Sequence, residues 1–301
     1  MKNKNKAEFP GIGSTIGVVT GILVVTAAIW LLWSGHGNIR YTADHGETMP
    51  IWHKWIPALV GIALIRLIPF KLPYYQPLGD GYPRRILHQT WILVSACIIF
   101  MMGLLLVGEE HPAFQLWYML LKLIFLLLVP WLVLRFYRGS SSTSPPHAKP
   151  QALTRWHWFA PLVVLTVWAY INFFTGLSVP YAASELTEPV IAAIFYVLIG
   201  FFINGVLEEL FYRVWLQTRL ERLLGVWPAI LLTSILWAIW HIAIQGTGEW
   251  QLDLATVIAN HGVTGIFLGY LWAKYRNVWV LFIVHGLINA SPRFLLDIWL
   301  N

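Results

Sequence analysis

The 301-residue chain is 58% hydrophobic and only 11% charged, against about 25% charged for an ordinary soluble domain. That composition excludes a soluble globular protein and reads as an all-α, polytopic membrane helix bundle. The formal charge of +6 is spread over short loops between apolar runs rather than gathered in one patch, which excludes nucleic acid as a partner and leaves membrane lipids as the surroundings.

Nine apolar runs follow one another: Ser14 to Trp33, Ile51 to Phe70, Ile86 to Val107, Phe114 to Leu134, Trp158 to Gly176, Pro189 to Leu210, Val226 to Ile244, Leu254 to Ala273 and Val278 to about Ala290. Most approach the roughly 20 residues that span a bilayer, and the last is short and followed by Pro292, so about 8–9 transmembrane helices are expected. The first run follows Lys2, Lys4 and Lys6, as a signal peptide would. It is long for a signal core and no cleavage site follows Ser34, so it reads as a retained helix.

Loop charge orients these spans, because cytoplasmic loops collect Lys and Arg. With the N-terminus cytoplasmic, the inner loops hold Lys2, Lys4 and Lys6, then Lys71, Arg84 and Arg85, then Arg135, Arg138, Lys149 and Arg155, then Arg213, Arg219 and Arg222, then Lys274 and Arg276. The outer loops hold Asp44 and Glu47, Glu109 and Glu110, Glu185 and Glu188, and Glu249 and Asp253, with Arg40 and Lys54 the only basic residues in or beside them. An integral protein of the cell (inner) membrane is the expectation.

The stretch GSSSTSPPHAKP, Gly139 to Pro150, cannot pack a core and reads as a flexible cytoplasmic linker. It divides the chain into an N-terminal four-helix membrane region, 1–138, a linker, 139–155, and a second membrane domain, 156–301, with its motif core at about 189–290. In the first region Arg66 and Lys122 lie near span ends and are expected to snorkel to the interface. The single cysteine, Cys97, excludes an intramolecular disulfide and a cysteine metal cluster, and is expected as a buried, inert thiol.

The polar groups that point to chemistry lie in the second domain. Glu208 and Glu209 stand side by side at the end of an apolar run, where carboxylates are costly and seldom without a function. Glu209 and Arg213 are four apart and share a helix face, while Asn204, Glu208 and Tyr212 form a second stripe. Glu208 thus needs a partner from elsewhere, and His241 and His285 on later helices are the candidates. His285 and Asn289 share a face and can both donate toward one point, the shape of an oxyanion hole. Trp237 lies one turn before His241 and can fix its ring. A glutamate beside a histidine can hold a water and take its proton.

Depth is compatible with this grouping. Glu208 lies fourteen residues before Arg222, and His241 fourteen after Trp227, about 21 Å of helix in each case. His285 lies nine residues after Arg276, about 13 Å, and is shallower unless its helix tilts. The run from Pro189 to Arg222 is too long for one straight span, so a bend near Gly200 or Gly205 is expected. His261 reads as a packing or cavity-lining residue, and His36, His45, His53 and His111 are too scattered for a metal site.

The motifs Glu208-Glu209-x-x-x-Arg213, Trp237-x-x-x-His241 and His285-x-x-x-Asn289 resemble those of the CPBP intramembrane proteases, also called the CAAX prenyl protease or Abi family. The resemblance covers roughly Pro189 to Ala290 and includes GIFLGYLWAKYRNVWVLFIVHGLIN. It implies hydrolysis of a peptide bond in a membrane-associated protein or peptide: Glu208 and His241 activating water, His285 and Asn289 stabilising the oxyanion, and Glu209 with Arg213 as support. The chain departs from the pattern at Trp237, where the usual residue is Phe.

Other readings stay open. Glu208, His241 and His285 also make a zinc triad, although the chain has no HExxH helix, which favours the metal-free, glutamic form without a cofactor. A non-catalytic scaffold or immunity protein would not need complete motifs. A transporter would need a polar path through both leaflets, and no internal repeat supports one. The orientation predicts that a reporter fused within Gly139 to Pro150 is cytoplasmic and one fused near Glu185 is on the opposite side; accessibility labelling in intact cells checks both, and an external linker would invert the topology.

Overall fold

The computed structural model describes residues 7–42, 46–68, 78, 83–136, 155–178 and 190–300. The Gly139 to Pro150 linker lies outside the described residues, as do Lys2, Lys4, Lys6, Asp44, His45, Lys71, Arg138, Lys149, Glu185 and Glu188.

Each apolar run of the sequence is a helix, because in lipid a helix satisfies every backbone N–H and C=O within its own segment. In chain order these are α1 (Pro10–Trp33), α2 (Trp52–Leu67), α3 (Pro83–Val107), α4 (Phe114–Phe136), α5 (Arg155–Phe174), α6 (Val190–Leu224), α7 (Val226–Gln245), α8 (Trp250–Tyr275) and α9 (Val278–Asn289). A last helix, α10 (Pro292–Leu300), follows. Among the described residues seven helices are long and apolar enough to cross a membrane, and α9 is a shorter apolar one, so the protein is a polytopic all-α bundle. The only strands among the described residues form a small hairpin between α1 and α2, β1 (Asn38–Arg40) against β2 (Thr48–Pro50), with Ile39 opposite Met49 and both buried. Periodicity could not reveal three-residue strands.

The helix α6 runs 35 residues without a break, about 52 Å of rise against a hydrocarbon core of about 30 Å. At the expected bend the helix does not break but widens: π-helical turns occupy Phe201–Val206, directly after Gly200, and Glu209–Gln217. Arg213 and Arg219, expected in a cytoplasmic loop, lie buried inside this helix. Arg219 donates to Gln89 Oε1 at 3.0 Å and to the Trp215 carbonyl at 2.8 Å. The long helix carries its last turns between α3, α7 and α1, so charge alone could not place them.

Small residues let these helices approach, as expected where lipid removes the hydrophobic drive between them. Gly13, Gly17 and Gly21 form a stripe on α1 that faces Leu224 of α6 and Pro228 and Leu231 of α7. Gly265 and Gly269 of α8 face Ser234 of α7 and Gln217 of α6, and Gln217 Nε2 donates to the Gly269 carbonyl at 2.8 Å. The segment before α1 meets the C-terminal end of α6, where the Glu8 and Phe9 amides donate to the Arg222 and Leu223 carbonyls and Glu8 pairs with Arg222 at 2.7 Å. One core cluster joins residues from α2 through α9.

The stripe on α1 sets an expectation. A Cβ at Gly13 would lie 2.0 Å from the Leu224 carbonyl oxygen, a backbone atom that cannot rotate away. Gly13→Val should therefore lower stability by about 1–3 kcal/mol, read as a fall in the thermal unfolding midpoint in detergent, whereas Gly11→Val, where a Cβ meets nothing within 4 Å, should not.

Candidate active site

Two glutamates and two cations are buried together in the bundle. Glu208 and Glu209 are 2% and 1% exposed, and Lys122 and Arg213 are both 0% exposed. An isolated buried charge is prohibitively costly, so the pairing decides the local structure. Glu208 forms its ion pair with Lys122 of α4 through Oε1. Its Oε2 accepts from the Trp237 indole N–H at 2.6 Å and lies 4.0 Å from His285 Nε2.

Lys122 is thus not a snorkelling residue, as its position in the sequence suggested. Nine residues into α4, it turns inward because an acceptor set exists there: Glu208, Asn204 Oδ1 at 2.7 Å and the Tyr118 hydroxyl at 2.5 Å. Arg66, by contrast, is exposed as expected.

The π-helical turns around Glu208 bear on its neighbour. An α-helix points successive side chains about 100° apart, and the wider turn reduces that angle, so both carboxylates face α9. Glu209 Oε1 lies 2.7 Å from His285 Nδ1. A carboxylate only accepts, so Nδ1 carries a proton, and in the neutral ring Nε2 is left as a lone pair toward Glu208. Glu209 Oε2 is 3.6 Å from Arg213 Nε, a Coulombic pair with no hydrogen bond, and the Arg213 nitrogens make none among the described residues. The guanidinium lies 5.3 Å from the Trp237 ring centre.

Trp237 is the hub of the cluster. Three imidazoles stand edge-on around its indole: His241 at 5.0 Å, His261 at 5.6 Å and His285 at 5.7 Å, with interplanar angles of 80°, 84° and 80°. His241 Nδ1 donates to the Trp237 carbonyl at 2.9 Å, since a carbonyl only accepts, and its neutral ring likewise keeps Nε2 free. The expected packing of Trp237 on His241 is present. No hydrogen bond or ion pair joins Glu208 to His241 among the described residues; both contact the Trp237 indole.

His261, which carries no motif, belongs to the same cluster. Its ring stacks on His241 at 3.7 Å and 14°, and its Nε2 lies 2.8 Å from Gln245 Oε1. It sits in a π-helical turn, Ile258–Gly262, with buried Asn260, whose Nδ2 makes no hydrogen bond among the described residues. Asn289 ends α9 and is exposed, without a hydrogen bond to His285 or Glu208. Motif spacing gave no role to Lys122, Tyr118 or His261, and Asn204 only a place on the helical stripe of Glu208. For Lys122 the available signal was a lysine inside an apolar run. Cys97 is buried with its Sγ 3.4 Å from the Tyr212 hydroxyl, in keeping with a packed thiol.

Residues 190–291 match the family model of the Type II CAAX prenyl endopeptidase Rce1-like proteins. That stretch, about a third of the chain, is similar to the CPBP/CAAX protease family. The family supports a CAAX-type intramembrane endopeptidase, acting on membrane-associated protein substrates from an integral membrane position. No curated protein and no solved structure matches the chain. Within the matched segment lie Glu208, Glu209, Arg213, Trp237, His241, His285 and Asn289; Lys122 and Tyr118 lie outside it.

Among the described residues no group of three or more His, Cys, Asp or Glu side chains is placed to hold a metal ion. The set Glu208, His241 and His285 does not fit zinc as arranged. The Lys122 ammonium already sits on Oε1 of the Glu208 carboxylate, and the Trp237 indole N–H occupies Oε2.

The indole N–H gives this site a donor that a phenylalanine would lack. Hydrogen bonds to charged groups contribute about 1.5–3 kcal/mol, so Trp237→Phe should remain folded and lower kcat roughly ten- to hundredfold. Steady-state kinetics with a thermal-unfolding control on the purified protein measure this, and an unchanged kcat would remove Trp237 from the positioning of Glu208.

Proposed function

We propose that this protein is an intramembrane endopeptidase of the glutamic type, in which Glu208 serves as general base and the substrate is a CAAX-type or other membrane-associated peptide. The observation that carries the reading is the convergence of Glu208 Oε2 with the lone-pair face of His285 around the Trp237 indole, inside the bundle. An attacking water on that face gives its proton to Glu208, and its oxygen adds to the scissile carbonyl. Collapse of the tetrahedral intermediate breaks the C–N bond, and the proton passes to the leaving amine.

His241, edge-on to the same indole, is the second group assigned to activating that water, and its ring is fixed by its Trp237 carbonyl bond and by stacking on Trp240 at 3.9 Å. Glu209 orients His285 and stabilises it when it carries charge, the role a carboxylate plays beside an imidazole in hydrolytic triads. Asn289, one turn beyond His285, supplies the oxyanion donor once substrate is bound; its exposed amide is free to do so. The orientation favoured by the basic loops gives a cytoplasmic N-terminus in the cell membrane, and a four-helix region, linker and protease domain in chain order.

The test is cleavage of a prenylated CAAX peptide by the purified full-length protein. Glu208→Gln should stay folded and lose at least about a hundredfold in kcat, since general-base catalysis supplies 10²–10⁴. Asn289→Ala should lose about a hundred- to a thousandfold with little change in KM, as removal of an oxyanion donor does. Chelators should have no effect. Activity lost to chelation and restored by zinc, with Asn289→Ala near wild type, would replace the glutamic mechanism by a metal-dependent one; normal turnover in Glu208→Gln would remove the base.

A further inference from the structure

We infer that Lys122, from the N-terminal helices outside the family-matched segment, is a positioning residue of the peptidase centre: it holds the Glu208 carboxylate in place and so makes the N-terminal region part of the active site. This rests on the proposed role of Glu208 as base.

The geometry of the ammonium carries the inference. A lysine has three N–H donors, and here each meets one acceptor: Glu208 Oε1, Asn204 Oδ1 at 2.7 Å and the Tyr118 hydroxyl at 2.5 Å. Tyr118 in turn donates to Asn204 Oδ1 at 2.9 Å, which closes the ring. The charge also lies 4.3 Å from the Tyr118 ring centre and 4.8 Å from that of Trp240, favourable faces for a desolvated cation. A lysine that served only to fill the core would have been replaced at less desolvation by an apolar side chain.

The consequence for Glu208 is a division of labour between its two oxygens. Lys122 engages Oε1 from the α4 side, which leaves Oε2 toward Trp237 and His285. Without the ammonium Oε1 loses its donor, and the carboxylate is held only through Oε2 by the Trp237 indole N–H. The same lysine borders the second histidine, because Trp240, against which the ammonium rests, stacks on His241 at 3.9 Å. Nothing in residues 190–291 substitutes for this contact: Arg213, the other buried cation close to the carboxylates, is committed to Glu209 and the Trp237 face.

The experiment uses the full-length protein in lipid nanodiscs with a farnesylated CAAX peptide, and compares wild type, Lys122→Met, Lys122→Ala and Tyr118→Phe. Gel filtration and thermal unfolding establish that each is folded. For a positioning residue, Lys122→Met lowers kcat by roughly tenfold or more with KM within about twofold. In Lys122→Ala, added methylammonium restores kcat with increasing concentration by refilling the vacated cation position, while it does nothing for Lys122→Met, whose side chain occupies the space. Tyr118→Phe, which leaves the lysine but removes one of its three acceptors, lowers kcat by a smaller factor and keeps the inference testable if both lysine variants fail to fold. Wild-type kcat in Tyr118→Phe or Lys122→Met, or a folded Lys122→Ala that is impaired yet indifferent to methylammonium, would overturn it. A wild-type protein inert toward the peptide would instead overturn the proposed activity itself, and the positioning role with it.

Discussion

The structure depends on neutralising two carboxylates inside an apolar bundle. Glu208 and Glu209 are adjacent, both buried, and matched by two buried cations, Lys122 and Arg213. Taking four charges out of water is tolerable only when each has a partner at short range. That requirement draws α4 against α6 and holds Asn204 and Tyr118 in fixed positions. The glycines at 13, 17, 265 and 269 serve the same end, since they let α1, α6, α7 and α8 approach until polar groups on different helices can meet.

Around this charge cluster the wider helical turns are not scattered. They follow Lys122 at Leu123–Leu128, flank Glu208 on both sides, and contain Asn260 and His261. Such turns recur at functional sites in other proteins, and here the physical gain is visible: they bring two consecutive carboxylates to one histidine. The resulting Glu209, His285, Glu208 array is asymmetric. One carboxylate lies at hydrogen-bond distance from Nδ1 of the imidazole, and the other faces Nε2 at 4.0 Å.

Trp237 links the Glu208 carboxylate to the three histidines. A phenylalanine would offer only a ring face and edge; the indole adds a donor to Glu208 while still packing against His241, His261 and His285 and under the Arg213 guanidinium. It contacts both Glu208 and His241, the pair that motif spacing alone would have placed in direct contact. The imidazole that lies nearest to Glu208 is therefore His285, at 4.0 Å.

The sequence by itself determined the helices, because uninterrupted apolar runs of membrane length leave the backbone no other way to satisfy its hydrogen bonds. It also marked Glu208, Glu209, His241 and His285, since ionisable groups are rare in such runs. Counting residues along a helix estimated that Glu208 and His241 share a depth, yet depth is a one-dimensional measure. Only the tertiary structure decided which groups meet at that depth: that Lys122 turns inward to Glu208, that His285 answers Glu209, that His261 stacks on His241, and that Asn289 ends exposed. A lysine near one end of an apolar run can snorkel or be buried with equal local logic. The choice depends on a carboxylate, an amide and a phenol, two of them far away in the chain, being assembled at the right place.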